Sequence, residues 1–234
     1  MPHSLQQTFA LLSKDAVLEW RTKERLTPTV FFVLLMLLVF NFAFEIGGAA
    51  LIEMGPGVLW ATYVFSSLFG LNQTFSIERE NNSLDAVLLA TATPTSLYLS
   101  KMLGNLLFLL IVQIVSLIFF AVFFNLTLGS QLLYLVPILL MGSAGLSAIG
   151  TLFAAMSYNS RLREFMMPLL LLPVIVPLVI SCVEGTKSVF EQTGLGELNY
   201  LGNEWWPHLQ LLSVYTIVFA TLSIMLFEYV VEES

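Results

Sequence analysis

The chain reads as long apolar runs broken by short polar segments, and its first stretch differs from the rest. Between residues 4 and 25, Leu5, Phe9, Leu12, Ala16 and Trp20 recur at helical spacing, while Lys14, Arg21, Lys23 and Arg25 fall largely on other faces. This pattern predicts an amphipathic helix lying in the membrane interface. Asp15, Glu19 and Glu24 make it less basic than a typical lipid-binding helix, so packing against the protein's own spans is an equal alternative.

The apolar runs that follow are long enough to be crossings. The first, about Thr27 to Ile46, matches the ~20 residues that span ~30 Å of hydrocarbon. It has Pro28 in the first turn, where a missing N–H does no harm, and Gly47-Gly48 at its end. A second extends from Pro56 to about Ser76, with Trp60 and Tyr63 expected as interfacial aromatics near its outer end. No charged residue occurs from Met102 to Ser160, which suits two crossings, about Leu97 to Phe124 and Leu132 to Met156, joined by a turn at Asn125, Gly129 and Ser130. The fourth run is dense in small residues, among them Gly142, Gly145 and Gly150, which let helix backbones approach closely within the chain or at a dimer seam. A fifth, about Phe165 to Val183, carries Pro168, Pro173 and Pro177 and is expected to bend. Residues 184–208 then form an outer segment ending in Trp205-Trp206, a pair suited to the headgroup level, before a sixth run from about Leu209 to Val231.

Composition agrees with this pattern. Of the 234 residues 57% are hydrophobic and 11% charged, and the mean hydropathy is +0.86, so the bilayer is the solvent. The expected fold is an all-α integral membrane protein, with an amphipathic interfacial helix over 1–26 and a single six-helix transmembrane domain over 27–234. No short apolar region with a cleavage site precedes the first span, which is therefore expected to act as the insertion signal.

The net charge of −7 matters less than where the bases fall. Lys14, Arg21, Lys23, Arg25, Arg79, Lys101, Arg161 and Arg163 fall on one side of the predicted spans and Lys187 alone on the other, which places both termini in the cytosol. No nucleic-acid partner is implied, and membrane lipid is.

Candidate chemistry is sparse. Cys182 is the single cysteine, and neither a CxxC nor a Cys/His cluster suggests a metal site. No GxxxxGK[ST] motif occurs, so the chain is not itself a P-loop ATPase. Neither a Ser/His/Asp constellation nor a carboxylate pair stands within a span, and the spans lack the ionisable groups that coupled transporters bury, apart from end positions such as Glu45 and Glu228.

The most informative polar segment is residues 77–96, between the second and third spans. Within Glu78-Arg79-Glu80-Asn81-Asn82-Ser83-Leu84-Asp85, Asn82 or Ser83 can cap a helix, Asp85 adds negative charge to its first turn, and Leu84, Val87 and Leu88 form an apolar stripe. Thr93-Pro94 ends it. Such a cytosolic helix can dock into a groove on a soluble partner, or be an ordinary interfacial loop. Arg161 and Arg163 mark a second, shorter cytosolic loop.

This connector, with the apolar Val87-Leu88-Leu89 and Pro94 after it, resembles the coupling loop of the haem exporter protein B family, the permease subunit of the cytochrome c maturation ABC transporter. The opening LLSKDAVLEWRTKERLTPTVFF and the second-span MGPGVLWATYVFSSLFGL are also similar to that family, so the resemblance covers nearly the whole chain. Relative to its usual pattern, Glu78 stands for Asp, Asn82 for Gly and Asp85 for Glu. Charge is kept at two of these, and Asn tolerates a left-handed backbone nearly as Gly does.

The resemblance implies an ABC-2-type, type V exporter-like permease in the bacterial inner membrane. It implies a pair of these chains bound to cytosolic ATP-binding subunits, contacted through Glu78, Arg79, Glu80, Ser83, Leu84, Asp85 and Leu88, and working with other inner-membrane haem-handling proteins. ATP would bind the partner subunit, haem would be a substrate of the complex, and this chain would itself hold no cofactor. His208, beside Trp206, is the one histidine placed outside. It reads either as an axial haem ligand or as an interfacial side chain at the start of a span. A generic ABC-2-type exporter of lipid, drug or polysaccharide and a non-transporting scaffold for haem-handling proteins stay open as alternatives.

Overall fold

A computed structural model describes residues 2–44, 49–75, 93–126, 129, 131–158, 163–194 and 201–232. These form helices α1 (Pro2–Thr22), α2 (Leu26–Phe44), α3 (Ala49–Asn72), α4 (Pro94–Phe123), α5 (Gln131–Met156), α6 (Arg163–Gly194) and α7 (Leu201–Glu232). Helices α2 to α7 are each long and apolar enough to cross a membrane.

The corner between α1 and α2 shows how local chemistry sets direction. Lys23 takes a left-handed φ of 52°, its N–H still donating to Glu19 O at 2.8 Å. The Glu19 carboxylate then accepts from the N–H groups of Arg25 and Leu26, both at 3.2 Å, and so caps α2. At the other end of the bundle Asn125, with φ 51°, closes α4 as the Leu126 N–H reaches back to Ala121 O at 2.9 Å. This is the six-to-one bond of a Schellman stop, and the predicted turn falls there.

Helix α1 lies on α4; α2 packs on α3 and α4; α3 packs on α4 and α6; and α5 touches α4, α6 and α7. The small residues of α5 make its central place geometric. A Cβ on Gly142 would stand 2.6 Å from the Trp60 ring and 2.8 Å from Cys182 Sγ, one on Gly145 2.3 Å from Leu178, and one on Gly150 2.7 Å from Leu71. These glycines therefore seat α3 and α6 of the same chain.

Several expectations need correction. Trp60 and Tyr63 are not interfacial: each is 1% exposed, because α3 is enclosed by its neighbours, and each hydrogen-bonds across the core. Helix α3 also begins at Ala49 rather than Pro56, which lies inside it. The fifth span does not stop at Val183 but continues as α6 to Gly194, and α7 starts at Leu201 rather than Leu209. Cys182, Thr186, Val189 and Phe190 are all buried on one face, a helical stripe that Glu184 and Lys187 conceal from any average of hydropathy. Trp205 turns inward within α7, its Nε1–H donating to Tyr134 O at 3.2 Å, while Trp206 is exposed.

Candidate functional site

The predicted docking residues Glu78, Arg79, Glu80, Ser83, Leu84, Asp85 and Leu88 lie outside the described residues, as does Arg161. Arg163 is described as the first residue of α6. The two flanks of the connector are described: the incoming one is bonded into a polar cluster, and the outgoing one opens the helix that carries the hub of that cluster.

On the incoming flank, the Thr74 hydroxyl lies 2.6 Å from Leu71 O and 3.2 Å from Asn105 Oδ1. Phe75 next to it is buried, its ring meeting Tyr158 edge-on at 6.3 Å and lying 5.5 Å from Lys101 Nζ. On the outgoing flank Thr93, extended at φ −148°, caps α4 by accepting from Ser96 N, and Pro94 occupies the first turn, where its missing N–H is harmless. Chain leaving at Phe75 and returning at Thr93 is thus pinned on both sides.

Asn105 is the hub. Its Oδ1 accepts from Arg25 Nη2 at 2.8 Å, and its Nδ2 donates to Thr151 Oγ1 at 2.8 Å. Arg25 Nε donates to Gly70 O at 3.0 Å, and the guanidinium stacks 4.5 Å over Phe108. One turn before Asn105, Lys101 is 6% exposed and pairs with Asp15 Oδ2 of α1 at 2.9 Å. A buried ammonium is tolerable only when paired, and removing its partner is the expensive step. A cleft of about 330 Å³ opens between α1, the α1–α2 corner and α4, with Asp15, Glu19, Arg25, Lys101 and Asn105 in its walls. These groups hold helices in register: one ion pair and a chain of hydrogen bonds tie α1, α2, α3, α4 and α5 to the place where the connector is rooted.

A second polar seam crosses mid-bundle. Tyr63 Oη is 2.9 Å from Ser143 Oγ, which in turn donates to Gln113 Oε1, and Trp60 Nε1 donates to Thr186 Oγ1 at 2.9 Å. Sequence reasoning singled out none of Asp15–Lys101, Asn105, Gln113 or Ser143 as site residues, although the expected third span, from about Leu97, already contained Lys101. The signal was there: Lys101, Asn105, Gln113 and Ser116 repeat at helical spacing along an otherwise apolar helix, and all are buried.

At the far end His208 is half-buried beside Pro207, at a cleft walled by Glu184, Lys187, Ser188 and Glu191 of α6. Among the described residues, no group of three His, Cys, Asp or Glu side chains is placed to hold a metal ion. The described bases divide between the ends: Lys14, Arg21, Lys23, Arg25, Lys101 and Arg163 lie at the connector end, and Lys187 lies at the other.

A family model described as CcmB protein matches residues 6–232. The chain is 28% identical over 175 residues to heme exporter protein B of Rhodobacter capsulatus, covering 75% of this chain and 80% of that one. It is 28% identical over 178 residues to heme exporter protein B of Paracoccus denitrificans, covering 76% and 81%. With the protein of the same name from Haemophilus influenzae it shares 22% over 201 residues, covering 82% and 87%.

Proposed function

The chain belongs to the CcmB protein family, and we propose on that premise that it is the permease subunit of an ABC-type complex that exports or handles haem for c-type cytochrome maturation in the bacterial inner membrane. Its likeness to proteins named heme exporter protein B supports this reading over a generic exporter of lipid, drug or polysaccharide.

A permease without a nucleotide-binding loop takes its work from a separate cytosolic ATPase. The connector is the place for that contact, with Leu84 and Leu88 filling a groove and Glu78, Glu80 and Asp85 steering the approach. Arg79 and Ser83 complete the docking face, and Arg161 and Arg163 form a second cytosolic surface beside it. Two copies of the chain pair around two ATPases, both termini are cytosolic, and haem is passed to other inner-membrane haem-handling proteins.

The observation that carries this reading is that the incoming flank of the connector bonds to Asn105 while the outgoing flank opens α4, the helix that carries Asn105 and Lys101. A displacement of the connector acts on Thr74 and Phe75 at the end of α3 and on Thr93 at the start of α4. Through Asn105 and Lys101 it reaches α1, α2 and α5 as well. Such a joint converts a push on a short loop into movement of several helices, because packed interfaces shift between discrete arrangements rather than deform continuously.

The test is maturation of c-type cytochromes with a partner ATPase that binds but does not hydrolyse nucleotide. Maturation should fall to background. Maturation at wild-type levels would favour the scaffold reading and overturn a driven permease.

A further inference from the structure

We infer that the outward face of α1 is a docking surface for anionic phospholipid headgroups, made so by the way the fold sorts the charges of this helix. In sequence α1 is nearly balanced, with Lys14 and Arg21 against Asp15 and Glu19. In the structure both acids turn toward the protein: Asp15 pairs with the buried Lys101 at 2.9 Å, and Glu19 caps the first N–H groups of α2. The bases do not follow them. Arg21 and Lys23 are exposed, and Lys14, although 3.6 Å from the second Asp15 oxygen, keeps 49% of its side chain accessible. With exposed Glu24 set against these three, the outward charge is positive.

The apolar side is sorted the same way. The edge of α1 that meets α4 is Thr8, Leu12 and Asp15, with Thr8 Oγ1 3.5 Å from Ser96 O and Leu12 against Gly104. Phe9, Ala16 and Trp20, spaced by seven and four residues, are exposed beside this edge, Phe9 by 67% and Trp20 by 74%, with Ala16 and Trp20 at the mouth of the cleft between α1 and α4. A shallow groove lined by Ser13, Lys14, Val17 and Arg21 runs beside this strip. Exposed aromatic side chains on one flank of a groove whose walls carry Lys14 and Arg21 complement a surface of acyl chains topped by negative headgroups. A neutral bilayer would satisfy only the aromatics, and a second copy of this chain would bring the same positive charge against itself.

The experiment uses the full chain in nanodiscs of phosphatidylcholine, with or without phosphatidylglycerol, carrying a fluorophore on Ser13→Cys; Cys182 is buried and unreactive. Brominated phosphatidylglycerol should quench the label more strongly than brominated phosphatidylcholine. The preference should drop about thirty-fold for each of Lys14→Glu and Arg21→Glu, since a reversal changes the charge by two at ~1 kcal/mol per charge, and should weaken with salt. A disulfide between Leu12→Cys and Gly104→Cys should still form in the charge-reversed proteins, showing that α1 remains docked. Equal quenching by both lipids, or self-quenching between labelled copies without lipid quenching, would overturn the inference.

Discussion

Lys101 Nζ and Asp15 Oδ2 stand 2.9 Å apart across the α1–α4 interface, and the same ammonium lies 5.5 Å from the ring of Phe75. One buried charge therefore joins the first helix of the chain to the last described residue before the connector. Lys101→Met should leave the Asp15 carboxylate in a partly buried site without its buried cation and with the half-exposed Lys14 at 3.6 Å, at a cost of about 1–3 kcal/mol, while Asp15→Asn with Lys101→Met should restore part of the loss. The disulfide between Leu12→Cys and Gly104→Cys, whose facing positions are in van der Waals contact, reports the outcome. It should form slowly in Lys101→Met and at near wild-type rate in the double variant, and equal rates throughout would show that the pair does not hold α1.

Gly142 and Gly57 should respond in opposite directions. A methyl on Gly142 meets Trp60 and Cys182 below 3 Å, whereas one on Gly57 meets nothing within 4 Å. Since the Trp60 ring is fixed by its bond to Thr186, Gly142→Ala should destabilise the bundle by about 1–3 kcal/mol. Gly57→Ala, inside α3, should be neutral or stabilising by roughly 0.5–1 kcal/mol. Thermal unfolding in detergent separates the two, and equal midpoints would contradict the packing of α3 against α5.

The distribution of bases predicts which side of the membrane each end faces. A membrane-impermeant thiol reagent added outside should label Leu195→Cys and leave Leu84→Cys and Arg161→Cys unlabelled until the membrane is opened, with Cys182 silent because it is buried. Labelling of Leu84→Cys from outside would invert the orientation.

The six crossings were legible because the bilayer demands about 20 apolar residues per helix, and the α4 stop was legible because Asn125 tolerates a left-handed backbone. What the sequence hid was lateral. Trp60 looks like an interfacial aromatic until α3 is seen enclosed by α2, α4, α5 and α6, and Glu184 looks like the end of a span until Thr186 and Val189 are seen continuing its buried face. The α1 acids looked like a weakness of a lipid-binding helix, although one holds Lys101 and the other caps α2. Hydropathy averages over all faces of a helix, so it finds what crosses the membrane and misses which face is turned inward. The polar cluster around Asn105 was missed for the same reason. It is assembled from five helices whose contributing residues are scattered from Asp15 to Thr151.

The measurement that bears most directly on the central claim is recovery of the partner ATPase with membranes carrying Leu84→Ala together with Leu88→Ala. These side chains are proposed as the anchors of the contact, and losing such anchors typically costs ~2 kcal/mol or more each. The ATPase should therefore be released while the chain itself still inserts at normal levels, and maturation of c-type cytochromes should fail. Wild-type recovery of the ATPase with normal maturation would contradict the account and leave residues 77–96 as a simple link between two spans.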